Sequence, residues 1–183
     1  MNNYLKVFIK EIIPIVLGIL IAMYINNWNE ERKDKKYINQ ISSSINQELI
    51  ETNKEIKRIM PLQKAFIDTL RIYSKDNKVT LIDIVFKNHG IKTPAIKINS
   101  WKAISNSRIE LMEYNKISTL ANIEEKKDFL KISIGKLVDF MFSNATETGI
   151  NEKKLMAILF QDVINAEVSI QEDIDKIINH KNN

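Results

Sequence analysis

The chain carries only two imidazoles, His89 and His180. A zinc site or a catalytic triad needs partners at fixed spacing, and neither His-x-x-x-His nor Glu-x-x-His occurs. His89 precedes Gly90 and reads as a cation complementing the dipole at a helix C-terminus. Glu110 and Glu113 are spaced for one helix face, as are Glu124 and Asp128. Together with Asp139 they are the groups through which acid–base chemistry or a divalent cation would act. Solvated helix faces produce such pairs as a matter of course, so the structural reading is preferred. Gln171-Glu172-Asp173-Ile174-Asp175 lacks the glycine and spacing of a calcium loop. Ser42-Ser43-Ser44 has no elbow glycine and no histidine to activate it. No glycine-rich loop could cradle a phosphate. Asn144-Ala145-Thr146 matches a glycosylation acceptor, a pattern common by chance. Catalytic, cofactor and metal residues are therefore expected to be none. Trp101, just after the Pro94 loop, is the one residue singled out for a partner contact, with core packing the preferred alternative.

The elements that would position these residues follow from composition. Of 183 residues, 44% are hydrophobic and 27% charged, a balance that fits a folded chain rather than disorder. Only 4 Gly and 3 Pro occur, too few for the turns of a strand-rich fold. Cysteine is absent, which removes disulfides, thiolate metal sites and a cysteine nucleophile. The net charge of +4 is thinly spread. Lys54, Lys57 and Arg58 are interleaved with Glu48, Glu51 and Glu55, a salt-bridged helix face and not a nucleic-acid surface.

The segment Ile12–Ile25 has no charged side chain. As a helix it covers about 21 Å, and extension back through Leu5 gives about 20 residues, enough for a hydrocarbon core of roughly 30 Å. Pro14 is expected near the helix start, where a missing N–H costs least. Tyr4, Tyr24 and Trp28 bracket the span at headgroup level. A cleaved signal peptide would need a small-x-small site after Ala22, and Met23-Tyr24-Ile25 does not supply one. Gly18 and Ala22 are four residues apart, flanked by Ile15 and Ile25. Such a pair permits close helix approach, and a weak homo-oligomer with its seam continuing through Ile38, Ile41 and Ile45 is one reading; the preferred alternative has Gly18 and Ala22 as ordinary membrane residues and the isoleucines packing inside their own domain.

The run Gly18-Ile19-Leu20-Ile21-Ala22, followed by Ile25-Asn26-Asn27-Trp28-Asn29-Glu30, resembles the opening of an uncharacterised family of small bacterial single-pass membrane proteins. The chain departs from that pattern at Pro14, where the family usually has an aliphatic residue. The resemblance implies an anchored helical domain and brings no activity or catalytic residues. It also implies the bacterial inner membrane with the domain on the outer face, because family members carry basic arms before the anchor. The count of Lys and Arg points the other way, with Lys6 and Lys10 before the span against Arg32, Lys33, Lys35 and Lys36 after it. The outer face is retained as the expectation.

Beyond the anchor, Tyr37, Ile41, Ile45, Leu49, Ile56 and Ile59 recur at helical spacing, and the helix is expected to stop at Met60, before Pro61. A second helix is expected from Pro61 to about Tyr73, then a turn over 74–78, then a short apolar run over 81–86 that fits a strand or a helix, with helix preferred because Asn88-His89-Gly90 reads as a helix C-terminus with Gly90 in the left-handed conformation. An extended loop through Pro94 leads to a helix capped by Asn99 or Ser100 and interrupted at Asn106-Ser107. Asn122 and Glu125 suggest a capping box for a helix ending near Phe142. Asn151 is expected to cap a last helix that buries Leu155, Leu159, Val163, Ala166, Ile170, Ile174 and Ile178. The expected fold is all-α: an N-terminal transmembrane helix (1–28), a membrane-proximal helix (29–60) and an antiparallel helical bundle (61–183). The expected role is a membrane-anchored module that binds a protein, scaffolds or senses a signal without catalysis. Its partners would be the lipid bilayer and an unknown protein, with no nucleic acid and no cofactor. The alternatives are an enzyme built on the carboxylates and a membrane-active toxin or defence component.

Overall fold

The computed structural model describes residues 2–179, with side chains from Phe8 onward. His180 and the side chains of Tyr4 and Lys6 lie outside the described residues. Five α-helices follow in order: α1 (Asn2–Ile72), α2 (Leu81–Lys87), α3 (Asn99–Ser105), α4 (Tyr114–Ser143) and α5 (Ile150–Asn179). A single 3-10 turn, Ile109–Leu111, separates α3 from α4, and no strand occurs among the described residues. The fold is all-α. The chain divides into two compact units, Met1–Ser42 and Ser43–Asn183.

The first unit is helix alone. Every described side chain from Phe8 through Lys33 is exposed. One helix among the described residues is long and apolar enough to cross a membrane, and its apolar window is 0% buried within the chain. Pro14 does not start this helix. It sits twelve residues inside α1, where the ring removes the N–H that would serve the carbonyl of Lys10.

In the second unit the rest of α1 is held by α5 and by the segment between α2 and α3. α1 buries Ile45, Leu49, Ile56, Ile59, Phe66, Ile67 and Leu70. This is the expected stripe, but Pro61 does not end it. The proline ring is on the exposed face, as is Lys57, whose carbonyl loses its donor to water rather than to a dry interior. The buried stripe runs past at unbroken helical spacing, and its packing outweighs the local cost. Ile45 is buried in this unit, so it is spent on the domain core rather than on a seam between copies.

α1 and α5 run antiparallel. Gln171 donates to Asn53 near one end, and the rings of Phe66 and Phe160 stack at 4.4 Å near the other. α4 folds back along α5 through the turn 144–149. It begins at Tyr114, with Glu113 as N-cap residue, so Asn122 lies within the helix rather than at its start. α5 begins at Ile150, which places Asn151 in its first turn. Its N-terminal half buries Lys153, Met156 and Phe160 in place of the expected Leu155 and Leu159.

α2 starts with a capping box between Thr80 and Asp83. Its first N–H groups donate to the carbonyls of Glu147 and Ala145, which ties it to the α4–α5 turn. At its end the left-handed position is held by His89, φ 56°, with Gly90 following at φ 90°. The Gly90 N–H reaches the Val85 carbonyl at 2.9 Å and the His89 N–H reaches Phe86, the two bonds of a Schellman closure. The glycine therefore takes the second residue of the motif, not the first.

Candidate functional site: a polar seam in the bundle

The segment 91–98 is extended and lies along α1 as a strap. Pro94, Ile96 and Ile98 alternate inward, a period of two written on a loop. Its backbone is fastened by α1 side chains. Gln63 donates to the Lys92 carbonyl at 3.1 Å. Thr52 accepts from the Lys97 N–H at 3.0 Å and returns its hydroxyl to the Lys97 carbonyl. Glu48 accepts from the N–H and hydroxyl of Ser100 at 3.0 and 3.1 Å. Glu48 thus does for α3 what Asn99 and Ser100 were expected to do, and neither of those two provides the cap.

The seam continues on α5. Gln63 also donates to Glu167 Oε1 at 2.7 Å, and both side chains are buried. Burial pushes the Glu167 carboxyl up to about 7, with the Gln63 hydrogen bond working the other way. Gln63 Oε1 and Glu167 Oε2 are both buried without a hydrogen-bond partner. A proton on Glu167 turns one orphan acceptor into a donor and relieves the cost of a dry carboxylate.

Two further charges are buried. Asp173 accepts from Lys126 of α4 at 2.5 Å and from Lys176 at 2.7 Å. Burial alone would raise its pKa, but the two ammonium groups outweigh that and hold it below the ordinary carboxylate range. Lys153 is 0% exposed, and its ammonium donates to the carbonyls of Tyr73 and Asp76. It ties the turn that follows α1 to the first turn of α5. Sequence reasoning missed Gln63, Lys153 and Glu167. Their only signal is a polar residue at a position where helical spacing expects an apolar one.

The residues singled out from the sequence do not gather. Glu110 lies in the 3-10 turn and Glu113 precedes α4, so the two do not share a helix face, and both are exposed. Asp139 is exposed on α4. Trp101 is 3% exposed and donates from its indole to Glu124 at 2.7 Å, so its own chain covers it. Asp128 is exposed one turn along from Glu124. Ser42, Ser43 and Ser44 are in mid-helix. Tyr24, Trp28 and Gly18 stand on the exposed face of the first unit, and nothing lies within 4 Å of a Cβ built on Gly18. Ala22 is likewise exposed. No group of three or more metal-ligating side chains occurs among the described residues. A shallow groove between α4 and α5 is lined by Asn122, Glu125, Phe129, Asp162 and Asn165, a polar rim about one aromatic ring.

Comparison with known protein families, with curated proteins and with solved structures finds no match to this chain.

Proposed function

We propose that the protein is a single-pass membrane module whose helical domain binds a protein partner or senses a signal beside the bilayer, without catalysis. One observation supports this above the rest. The apolar stretch of α1 from Phe8 is exposed along its whole length, with none of its apolar window buried among the described residues. In water that surface would drive aggregation; in lipid it is an anchor. The absence of convergence among Glu110, Glu113 and Asp139 weakens the enzyme reading, because a carboxylate mechanism needs those groups in one cleft.

The test is membrane extraction followed by in-membrane crosslinking. The chain should stay with the membrane through high-salt and alkaline washes, and deleting Met1–Trp28 should release a folded helical domain. Full-length protein freed by the wash would end the membrane reading. A defined protein crosslinked to the domain in native membranes supports the binding role.

The bacterial inner membrane, with the domain on its outer face, is the location we propose from the resemblance of the opening segment. The excess of Lys and Arg after the span supports a second reading, a cytoplasmic domain. Protease added outside intact spheroplasts should digest the domain in the first case and spare it in the second.

A further inference from the structure

Where the apolar span ends, aromatic and basic side chains share one side of α1. At about 100° per residue, Arg32, Lys35 and Lys36 fall within about 80° of Trp28, and Tyr24 lies on the same side one turn earlier. Glu30 and Asp34 fall about 120° or more away, while Glu31, about 60° from Trp28, stands on the ridge as its single acidic residue. Lys33 goes with the acidic side. The alternating sequence Glu30-Glu31-Arg32-Lys33-Asp34-Lys35-Lys36 therefore separates in space into a ridge of three basic residues and Glu31, net positive, and a back of Glu30, Asp34 and Lys33, net negative. Tyr24, Trp28, Arg32, Lys35 and Lys36 are all exposed.

The direction of the side chains adds to this. In an α-helix every Cα–Cβ bond tilts toward the N-terminus. Here the N-terminal side is the apolar span, so long side chains placed after it lean back toward the bilayer. Arg32 shows this lean: its guanidinium carbon lies over the Trp28 ring at 5.1 Å, a full turn back. Trp28 is a headgroup-level residue by its place at the end of the span. Arg32 is about 10 Å along the axis beyond Ile25, and Lys35 and Lys36 about 15 Å, distances that flexible stems leaning backward can shorten to the depth of the phosphates.

We propose that Arg32, Lys35 and Lys36, seated beside Trp28, form a ridge that binds the headgroups of anionic phospholipids. The phosphate is the shared chemistry, and the net negative charge of the lipid sets the preference. This rests on the membrane reading above, and the experiment separates the two.

The full-length chain is reconstituted into phosphatidylcholine vesicles containing a trace of spin-labelled phosphatidylglycerol or spin-labelled phosphatidylcholine. The share of each label held motionally restricted by the protein is measured. The expected result is about a fivefold preference for the anionic label. The preference should shrink in about 0.5 M salt. It should vanish in the triple variant Arg32→Gln, Lys35→Gln, Lys36→Gln, whose helix formers keep α1 intact. Equal association of both labels with the unaltered chain would overturn the proposal. So would a preference that survives in the triple variant, which would assign it to the other end of the span. Failure of the membrane reading looks different: neither label shows a restricted component, and the protein does not travel with the vesicles.

Discussion

Gln63 and Glu167, 104 residues apart in the chain, meet in the core through a 2.7 Å hydrogen bond from the Gln63 amide to one carboxylate oxygen. The other oxygen of Glu167 and the oxygen of Gln63 are both buried without partners. Burial raises the Glu167 carboxyl to about 7, so a proton sits on it as the pH falls below that value.

Stability should therefore fall as pH rises across this pair's window. The folded carboxyl titrates at about 7 and its reference value is 4.5. A raised folded value means that the contribution is complete below 4.5 and is lost on passing through 7. The loss is about 3 kcal/mol. Urea unfolding in detergent micelles at several pH values should show this slope in the unaltered chain and its removal in Glu167→Gln. An identical slope in the variant would disprove the assignment.

Lys153→Met keeps the length and apolar stem but withdraws the donor from the Tyr73 and Asp76 carbonyls. The half-buried Asp76 carbonyl loses the Lys153 donor, while the Tyr73 carbonyl keeps the Asp76 N–H at 3.1 Å, so the cost should be about 1.5 kcal/mol. Hydrogen exchange should show the loss concentrated in residues 70–80. A variant as stable as the parent would mean that the Asp76 carbonyl is served by water.

Asp173 behaves in the opposite sense to Glu167. Its pKa is held below the ordinary value of 3.8, so its contribution is present above that value and is lost as pH falls through the folded one. Asp173→Asn should lower stability at neutral pH by about 2 kcal/mol, the scale of charge-assisted bonds to Lys126 and Lys176. It should also flatten the acid limb of the unfolding profile. An acid limb unchanged in the variant would place the acid-labile interaction elsewhere.

Pro61→Ala restores an N–H inside a continuous helix. The gain should be about 2 kcal/mol, a helix-interior proline penalty less the entropy the proline removes from the unfolded chain. Thermal unfolding followed by far-ultraviolet circular dichroism measures it. A destabilised variant would show that the helix relies on the shape proline imposes.

The helices were legible where apolar spacing is plain. Ile45, Leu49, Ile56 and Ile59 mark the buried face of α1 without help from the structure, and the turns over 74–78 and 143–149 follow from their polar residues. Errors arose where one local rule met a stronger distant term. Pro61 signals a stop, yet it faces solvent while the core stripe passes beneath it. Lys153 looks like a surface residue, so spacing shifted the α5 face to Leu155 and Leu159; only the folded chain shows two carbonyls waiting for the ammonium. Asn122 and Glu125 satisfy a capping pattern, but α4 had already begun at Tyr114. The polar seam could not be read at all. Gln63 and Glu167 are ordinary residues singly, and their chemistry exists only once α1 and α5 lie side by side.

The strap over 91–98 has a mechanical consequence. Its fastenings to α1 at Thr52 and Gln63 lie eleven residues apart, about 16 Å of helix axis. A tug along that axis does not peel them one after another, as it would a hairpin pulled from its open end. It loads them together in shear, so several bonds must give way at once before the helix can slide.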